Sequence, residues 1–140
     1  MVRSDYVFWA LVACVSYSFV PPLVRVTTRD VPSTVAALIS NVILVGILLL
    51  VLVLTGEPIT PHLQTEGATY LYIAGIFLGI GILAYYRALE LGPVSIVVPL
   101  FAMFLVGGSV IGVVALEESL TGRNVHGIVF AVAAIYLLSV

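Results

Sequence analysis

The chain consists of long apolar stretches separated by short polar breaks. Five of these stretches approach the length of about 20 apolar residues that a helix needs to cross the hydrocarbon core of a bilayer. They are continuously apolar rather than alternating, which disfavours the strands of a membrane barrel. The predicted membrane helices are Tyr6–Val26, Pro32–Leu54, Ala68–Leu89, Pro93–Leu116 and Val125–Val140.

Polar residues, glycine and proline mark the breaks between these helices. A charged cluster follows the first helix, and Pro32 suits the first turn of the second. The longest connection, residues 55–68, carries two prolines and two glutamates, and Gly92-Pro93 makes a tight turn before the fourth helix. Since no linker or internal repeat interrupts this order, residues 1–140 are predicted to form a single membrane domain.

Composition agrees with this pattern. The 140 residues are 62% hydrophobic and 9% charged, whereas a soluble domain is about half apolar and a quarter charged. We therefore predict an all-α integral membrane protein, multi-pass, in the cell (cytoplasmic) membrane. A net charge of only −2 argues against a nucleic-acid partner. Cys14 is the only cysteine, which excludes an intrachain disulfide and a cysteine-based metal site.

The basic residues favour neither orientation in the membrane. Five crossings would place Arg3 and Arg123 on one side, and Arg25, Arg29 and Arg87 on the other. Orientation follows an excess of arginine and lysine on the cytoplasmic side, and two against three is almost no excess. The sequence therefore allows either insertion in a single direction or insertion in both directions. Dual insertion would allow pairing with an inverted second copy, which matches the inverted repeats of many transporters.

The stretch 85-YYRALELGPVSIVVPL-100, followed by Glu118 and Gly127, resembles an EamA domain of the drug/metabolite transporter superfamily. In that family a Gly-Pro-Val-Ser-type turn starts the fourth helix and a proline follows. The helix ends at a glutamate, and a glycine comes nine residues later. The positions that match are Gly92, Pro93, Ser95, Pro99, Glu118 and Gly127. The first half fits more loosely, through Trp9 and the Pro21-Pro22 break, and Glu117 stands where the family usually has glycine.

The resemblance implies an architecture and a function. Family members usually carry two such domains, so this chain resembles one half of an inverted-repeat ten-helix transporter. It would pair most simply as an antiparallel, dual-topology homodimer. The implied function is transport of a small-molecule metabolite by alternating access across the lipid bilayer. The alternatives are a lipid-linked metabolite flippase and a non-transporting membrane subunit of a larger complex.

The charged residues disfavour one type of transport chemistry. An ionisable group inside a membrane is functional by default, but here every charged residue falls within about a turn of a predicted helix end. Carboxylate-driven cation antiport is therefore disfavoured, and a neutral, zwitterionic or anionic substrate is favoured. His62 and His126 are separated and lack carboxylate neighbours. Without nucleophile, phosphate-loop or metal-spacing motifs, the chain is predicted to be no enzyme and to use no metal or cofactor.

Polar side chains inside the apolar helices are the candidate substrate contacts. Asn41 is the most telling of them, because it brings a donor and an acceptor into an apolar run. Any one of these groups could instead join two helices. The residues predicted to line a cavity formed by helices one to four are Tyr17, Asn41, Tyr85 and Ser95.

Two further groups are predicted to shape the helices. A proline inside a helix removes a hydrogen bond and kinks it, so Pro21, Pro22 and Pro99 are candidate kinks, with plain bending as the alternative role. We hypothesise that Glu118 ties a loop to its neighbour and helps one gate to close; alternatively it lies in headgroup water. Small residues that allow close helix packing, within one chain or in a dimer through helix four, are Gly75, Gly79, Gly108, Gly112 and Gly127.

Overall fold

The computed structural model describes residues 5–115, 117, 119 and 121–139. These residues form helices and contain no strand, which confirms the all-α prediction. The helices are α1 (Asp5–Thr27), α2 (Ser33–Thr55), α3 (Glu66–Leu91), α4 (Val94–Ala102), α5 (Phe104–Ala115) and α6 (Gly122–Ser139), with a short 3-10 helix at Thr60–His62.

Four segments are long and apolar enough to cross a membrane. They are Tyr6–Thr27, Ser33–Thr55, Glu66–Leu91 and Val94–Ala115. The apolar part of α6, Val125–Leu138, is shorter. At 1.5 Å per residue it is about 21 Å long, against a hydrocarbon core of about 30 Å. Four of the predicted membrane helices therefore have the length of a span, and the fifth crossing stays a prediction.

The fourth predicted helix, Pro93–Leu116, is divided in two at Met103. Pro99 lies inside α4 and has no backbone N–H to donate to the preceding turn. One turn later the chain tightens, since Met103 N–H donates to the carbonyl of Leu100, three residues back, at 3.2 Å. The carbonyl of Met103 then accepts from Val106 at 3.1 Å at the start of α5. The segment is still one candidate membrane span, Val94–Ala115, with an interruption at Met103. The role of Pro99 as its kink stays a prediction.

Proline precedes α2 and α4, as the sequence predicts, and a glycine follows the end of α2. Pro32 and Pro93 directly precede these helices with extended backbones, at ψ 140° and 144°. Their fixed φ and missing N–H make them suitable at a helix start, where that N–H would have no helical partner. Gly56 ends α2 at φ 69°, a left-handed conformation, and its N–H donates to the carbonyl of Leu52.

The chain divides into two compact units. The terminal unit contains Met1–Pro22 and Gly92–Val140, and the central unit contains Leu23–Leu91. Within the terminal unit α4 packs mainly against α6, and within the central unit α2 packs against α3. Helix α1 passes from one unit to the other directly after Pro21-Pro22, so this proline pair lies at a division of the fold.

Most of the buried side chains of the central unit lie near the end where α1 finishes, α2 begins and α3 finishes, while Ala68 is buried at the start of α3. Leu89 is fully buried, with 0% exposure, and the other buried members of this cluster are Val24, Ser33, Ala36, Ala37, Tyr85 and Tyr86. Towards the opposite end of α2 the large side chains are exposed, Val53 to 79%. Apolar side chains exposed in this way suit contact with lipid tails or with helices of a partner.

Candidate functional site

An open groove lies between α2 and α3 of the central unit. It has a volume of about 510 Å³, within the range of roughly 300–1,000 Å³ typical of small-molecule sites. Its walls are almost wholly apolar. The lining residues are Thr34, Val35, Ala37, Leu38 and Asn41 from α2, and Gly75, Leu78, Gly79, Ile82 and Leu83 from α3.

Asn41 provides the amide of this groove. It is half-buried, and its side-chain nitrogen donates to the carbonyl of Ala37, one turn earlier in α2, at 2.7 Å. This hydrogen bond restrains the side chain against its own helix. Among apolar walls, an amide that is restrained in this way can fix the orientation of a ligand through a hydrogen bond.

A second polar contact joins α2 to α3 beside the groove. The hydroxyl oxygens of Ser40 and Tyr86 are 2.8 Å apart, and Ser40 also donates to the carbonyl of Ala36 at 2.8 Å. Tyr86 therefore donates to Ser40. The side chain of Tyr86 is buried, at 3% exposure. A buried tyrosine hydroxyl needs a hydrogen-bond partner, and Ser40 provides it.

Glu90 connects the end of α3 to the start of α2. Its carboxylate accepts a hydrogen bond from the hydroxyl of Ser33, the first residue of α2, at 2.7 Å. The same oxygen, Oε2, forms a salt bridge with Arg87, one turn earlier in α3. A negative charge at the beginning of a helix is favourable because the helix dipole is positive there. These contacts fix how the ends of α2 and α3 meet.

Arg25, near the end of α1, binds the end of α3 in a different way. One terminal guanidinium nitrogen donates to two main-chain carbonyls, of Leu89 at 2.8 Å and of Glu90 at 2.7 Å. The last four carbonyls of a helix have no donor within it, so Arg25 satisfies two groups that would otherwise need water.

The residues predicted to line a cavity fall in both units. Asn41 and Tyr85 belong to the central unit; Asn41 lines the groove, and Tyr85 is buried in α3. Tyr17 and Ser95 belong to the terminal unit, where Tyr17 is 67% exposed on α1 and Ser95 is exposed in the first turn of α4. Their common role as a cavity lining stays a prediction.

The sequence reasoning did not identify the contacts of Ser33, Ser40, Tyr86 and Glu90. A signal was present, because Ser33 and Ser40 lie seven residues apart in α2 and Tyr86 and Glu90 four apart in α3. Both spacings place the two residues on one face of a helix. Two polar stripes on neighbouring helices can pair in this way, but the sequence did not show that the stripes face each other.

The small residues show two kinds of environment. In the described part of the chain, no atom outside the local helix backbone lies within 4 Å of a Cβ placed on Gly75, Gly79, Gly108 or Gly127. Gly112, in contrast, is buried. The four open positions leave room for another helix to approach, so their packing role stays a prediction. Glu118, the predicted gate residue, lies outside the described residues.

The residues that line the groove include no histidine, cysteine, aspartate or glutamate. Throughout the ranges that the structure describes, no group of three or more histidine, cysteine or acidic residues could hold a metal ion. The basic side chain of Arg25 and the acidic side chain of Glu90 both lie in the last turns of their helices, where the sequence predicts the charges to be. The polar side chains that line the groove are those of Thr34 and Asn41, and the other lining residues are apolar or glycine.

These helices define a multi-pass membrane protein. Residues 5–140 match the EamA-like transporter family, so the chain belongs to that family and is a membrane transporter by class. A relative described as an uncharacterized transporter in the cobO 3' region of a Sinorhizobium species is 32% identical over 141 residues, with 99% of each chain covered. No solved structure matches the chain significantly. The EamA resemblance in residues 85–127 is thereby confirmed, and membership of a transporter family agrees with a protein that is not an enzyme.

Proposed function

We propose that this protein moves small metabolites across the cell membrane by alternating access, as an antiparallel homodimer. The observation that carries the proposal is the groove between α2 and α3, with Asn41 among apolar walls, in a chain of a transporter family. The groove of one copy would form half of a substrate cavity, and the inverted copy would supply the other half. Sites between inverted repeats are the usual arrangement in transporters of this kind.

The substrate is a small molecule that is neutral, zwitterionic or anionic. In the described helices the charged groups lie near the ends, and the groove wall itself carries no charged residue. A bare cation would therefore find no countercharge in the groove. A ligand with an apolar body and a hydrogen-bonding group matches Asn41 and the apolar lining.

Three observations support the homodimer. The Sinorhizobium relative, also described as a transporter, has the length of one such domain. The five arginines are divided almost evenly between the two predicted sides, so that both orientations are possible. Finally, the described faces of α3 and α5 leave Gly75, Gly79 and Gly108 open for a close approach by another helix.

Alternating access also needs helices that bend or pivot. Pro21 and Pro22 interrupt the hydrogen bonding of α1 where it passes between the units, and Pro99 precedes the break at Met103. We propose these prolines as the pivots, with Glu118 as a gate residue at the end of the fourth membrane segment.

Uptake into reconstituted vesicles tests the transport function. Vesicles with the purified protein should accumulate at least one labelled amino acid or nucleoside above empty vesicles. Asn41→Ala should reduce this uptake about tenfold, the effect of losing a hydrogen bond of about 1.4 kcal/mol. Ser109→Ala is the matched control, because Ser109 also bonds only its own helix, at the carbonyl of Leu105, and lies outside the groove.

The outcome separates the three candidate functions. Uptake that depends on Asn41 but not on Ser109 supports the proposal. A complete absence of uptake, together with co-purification of another membrane protein, would assign the chain to a non-transporting subunit. Movement of a labelled lipid-linked metabolite between the leaflets, without uptake of any free one, would assign it to a flippase.

A further inference from the structure

The last turn of α1 is attached to the central unit although the rest of the helix belongs to the terminal unit. The division falls between Pro22 and Leu23, so the segment Leu23–Thr27 groups with α2 and α3. Val24 in this segment is buried, with 8% exposure. The segment is thus a short piece of helix with its own packing, separated from the rest of α1 by two prolines.

The proline pair weakens the helix directly before this segment. Pro21 and Pro22 have no backbone N–H, so the carbonyls of Tyr17 and Ser18, four residues earlier, lack their helical donors. The hydrogen-bond ladder that would normally make α1 one rigid rod is therefore interrupted at two consecutive positions. What lies beyond the interruption must be held by other contacts.

Arg25 provides the longest-range polar contact of the segment. Its guanidinium donates to the carbonyls of Leu89 and Glu90, at 2.8 and 2.7 Å, more than sixty positions away along the chain. Its own carbonyl accepts from the hydroxyl of Thr28 at 3.2 Å. Both acceptors in α3 are main-chain atoms at the negative end of the helix dipole, where a cation is favourable.

The side chain of Glu90 takes no part in the hydrogen bonds between Arg25 and α3. The carboxylate is already occupied by Ser33 and Arg87, while Arg25 binds the backbone of the same residue. The hydrogen bonds of Arg25 to α3 therefore involve no side-chain atom of Glu90. This distinguishes them from an ordinary salt bridge between two side chains.

We propose that Arg25 is a positioning residue that anchors Leu23–Thr27 to the end of α3, so that this segment moves with the central unit and not with the rest of α1. Because the segment after the prolines is held in this way, any bending of α1 must occur at Pro21-Pro22. The inference goes beyond the proposed function, because it concerns the folded chain and holds whichever substrate is carried.

Hydrogen exchange measured by mass spectrometry on the full chain in lipid nanodiscs tests the anchor. In Arg25→Gln the amides of residues 23–28 and 88–92 should exchange about tenfold faster than in the wild type, as expected for the loss of charge-assisted hydrogen bonds. The amides of residues 42–54 in α2, remote from the contact, should exchange at the wild-type rate.

Two variants serve as matched controls. Arg29→Gln removes the same charge from an exposed position four residues further on, and it should leave residues 23–28 unchanged. Glu90→Gln removes the carboxylate but leaves both acceptor carbonyls, so residues 23–28 should again exchange as in the wild type. Arg25→Lys keeps the charge on a single ammonium, and its residues 23–28 should exchange at a rate between those of the wild type and Arg25→Gln. If Arg25→Gln does not fold, Arg25→Lys is used in its place.

Four results would overturn the proposal. The first is wild-type exchange of residues 23–28 in a folded Arg25 variant. The second is equal acceleration in Arg29→Gln, which would indicate a general effect of charge. The third is equal acceleration in Glu90→Gln, which would indicate a side-chain ion pair. The fourth is acceleration that includes residues 42–54 to the same degree, because it would show global destabilisation instead of a local release.

Discussion

Glu117 has a backbone φ of 55°, in the left-handed region that is costly for any residue with a Cβ. It lies two residues after Ala115, the last residue of α5. Helices commonly end through a left-handed residue at this position, and glycine is the usual choice there. At this position the family usually has glycine, which adopts the left-handed conformation without strain. Glu117 adopts the same conformation with a Cβ, and the sequence gives no evident reason for the change.

Replacing Glu117 by glycine should stabilise the protein. Relief of the left-handed strain is worth about 1 kcal/mol in the free energy of unfolding. Glu117→Ala is the matched control, since alanine removes the carboxylate but keeps the Cβ. Reversible unfolding of the three proteins in mixed micelles measures the difference. Equal stabilisation by alanine and glycine would contradict the strain explanation and indicate repulsion between the carboxylate and the helix dipole.

Single residues also show which parts of the site a sequence can predict. Asn41 was identified because an amide in an apolar run must face protein or ligand rather than lipid, and it lines the groove. The bond between Ser40 and Tyr86 was not predicted, because an apolar helix gives little indication of which face meets which neighbour. The contact of Arg25 escaped prediction for another reason: its acceptors are backbone carbonyls, which every residue has.

At the scale of elements, hydropathy predicts the helices well because lipid allows few alternatives. Backbone groups in the hydrocarbon core must be satisfied within the segment, so a long apolar stretch is a helix. Interruptions are harder to predict, as α4 and α5 show. Pro99 indicated a kink, but the break lies four residues later at Met103, where the local turn tightens. Helix α1, in contrast, continues through Pro21 and Pro22.

Helix α1 should bend more than α2 because of its proline pair. Nitroxide labels can be placed on Leu11→Cys and Val26→Cys, on either side of the prolines, in a Cys14→Ser background. Leu38→Cys and Val53→Cys provide a reference pair with the same residue separation. All four sites are exposed, and α2 has no proline inside it.

The distance distribution from pulsed electron resonance should be broader for the pair on α1. Changing Pro21 and Pro22 to alanine restores two N–H donors and should narrow that distribution to the width found on α2. Equally broad distance distributions for the two wild-type helices would contradict bending at the prolines. A distribution on α1 that stays broad after both prolines are replaced would contradict it as well. The reference pair controls for the motion of the labels themselves.

At the scale of the whole molecule, the central unit is held together at one end. Its buried side chains other than Ala68 lie where α1 ends, α2 begins and α3 ends, and so do the polar contacts of Arg25, Ser33 and Glu90. Towards the other end of α2 and α3, the described side chains are mostly exposed. Apolar surface of this extent requires lipid or another helical protein around it.

Dual insertion predicts that each connection between helices is found on both sides of the membrane. Single cysteines at Asp30 and Thr60, in the Cys14→Ser background, report on the two ends of α2 without changing any arginine. In intact cells an impermeant maleimide should label about half of each variant, because the arginine tally gives neither orientation a clear advantage. Complete labelling of one cysteine and none of the other would contradict the antiparallel homodimer.

A charge variant provides the control for this experiment. Asp30→Arg, combined with the cysteine at Thr60, changes the arginine tally from two against three to two against four. The excess should direct most chains to one orientation, with the enriched side in the cytoplasm. Since α2 separates the two connections, the cysteine at Thr60 should then become almost fully accessible from outside. Half-labelling that persists in this variant would mean that the arginine excess does not set the orientation of the chain.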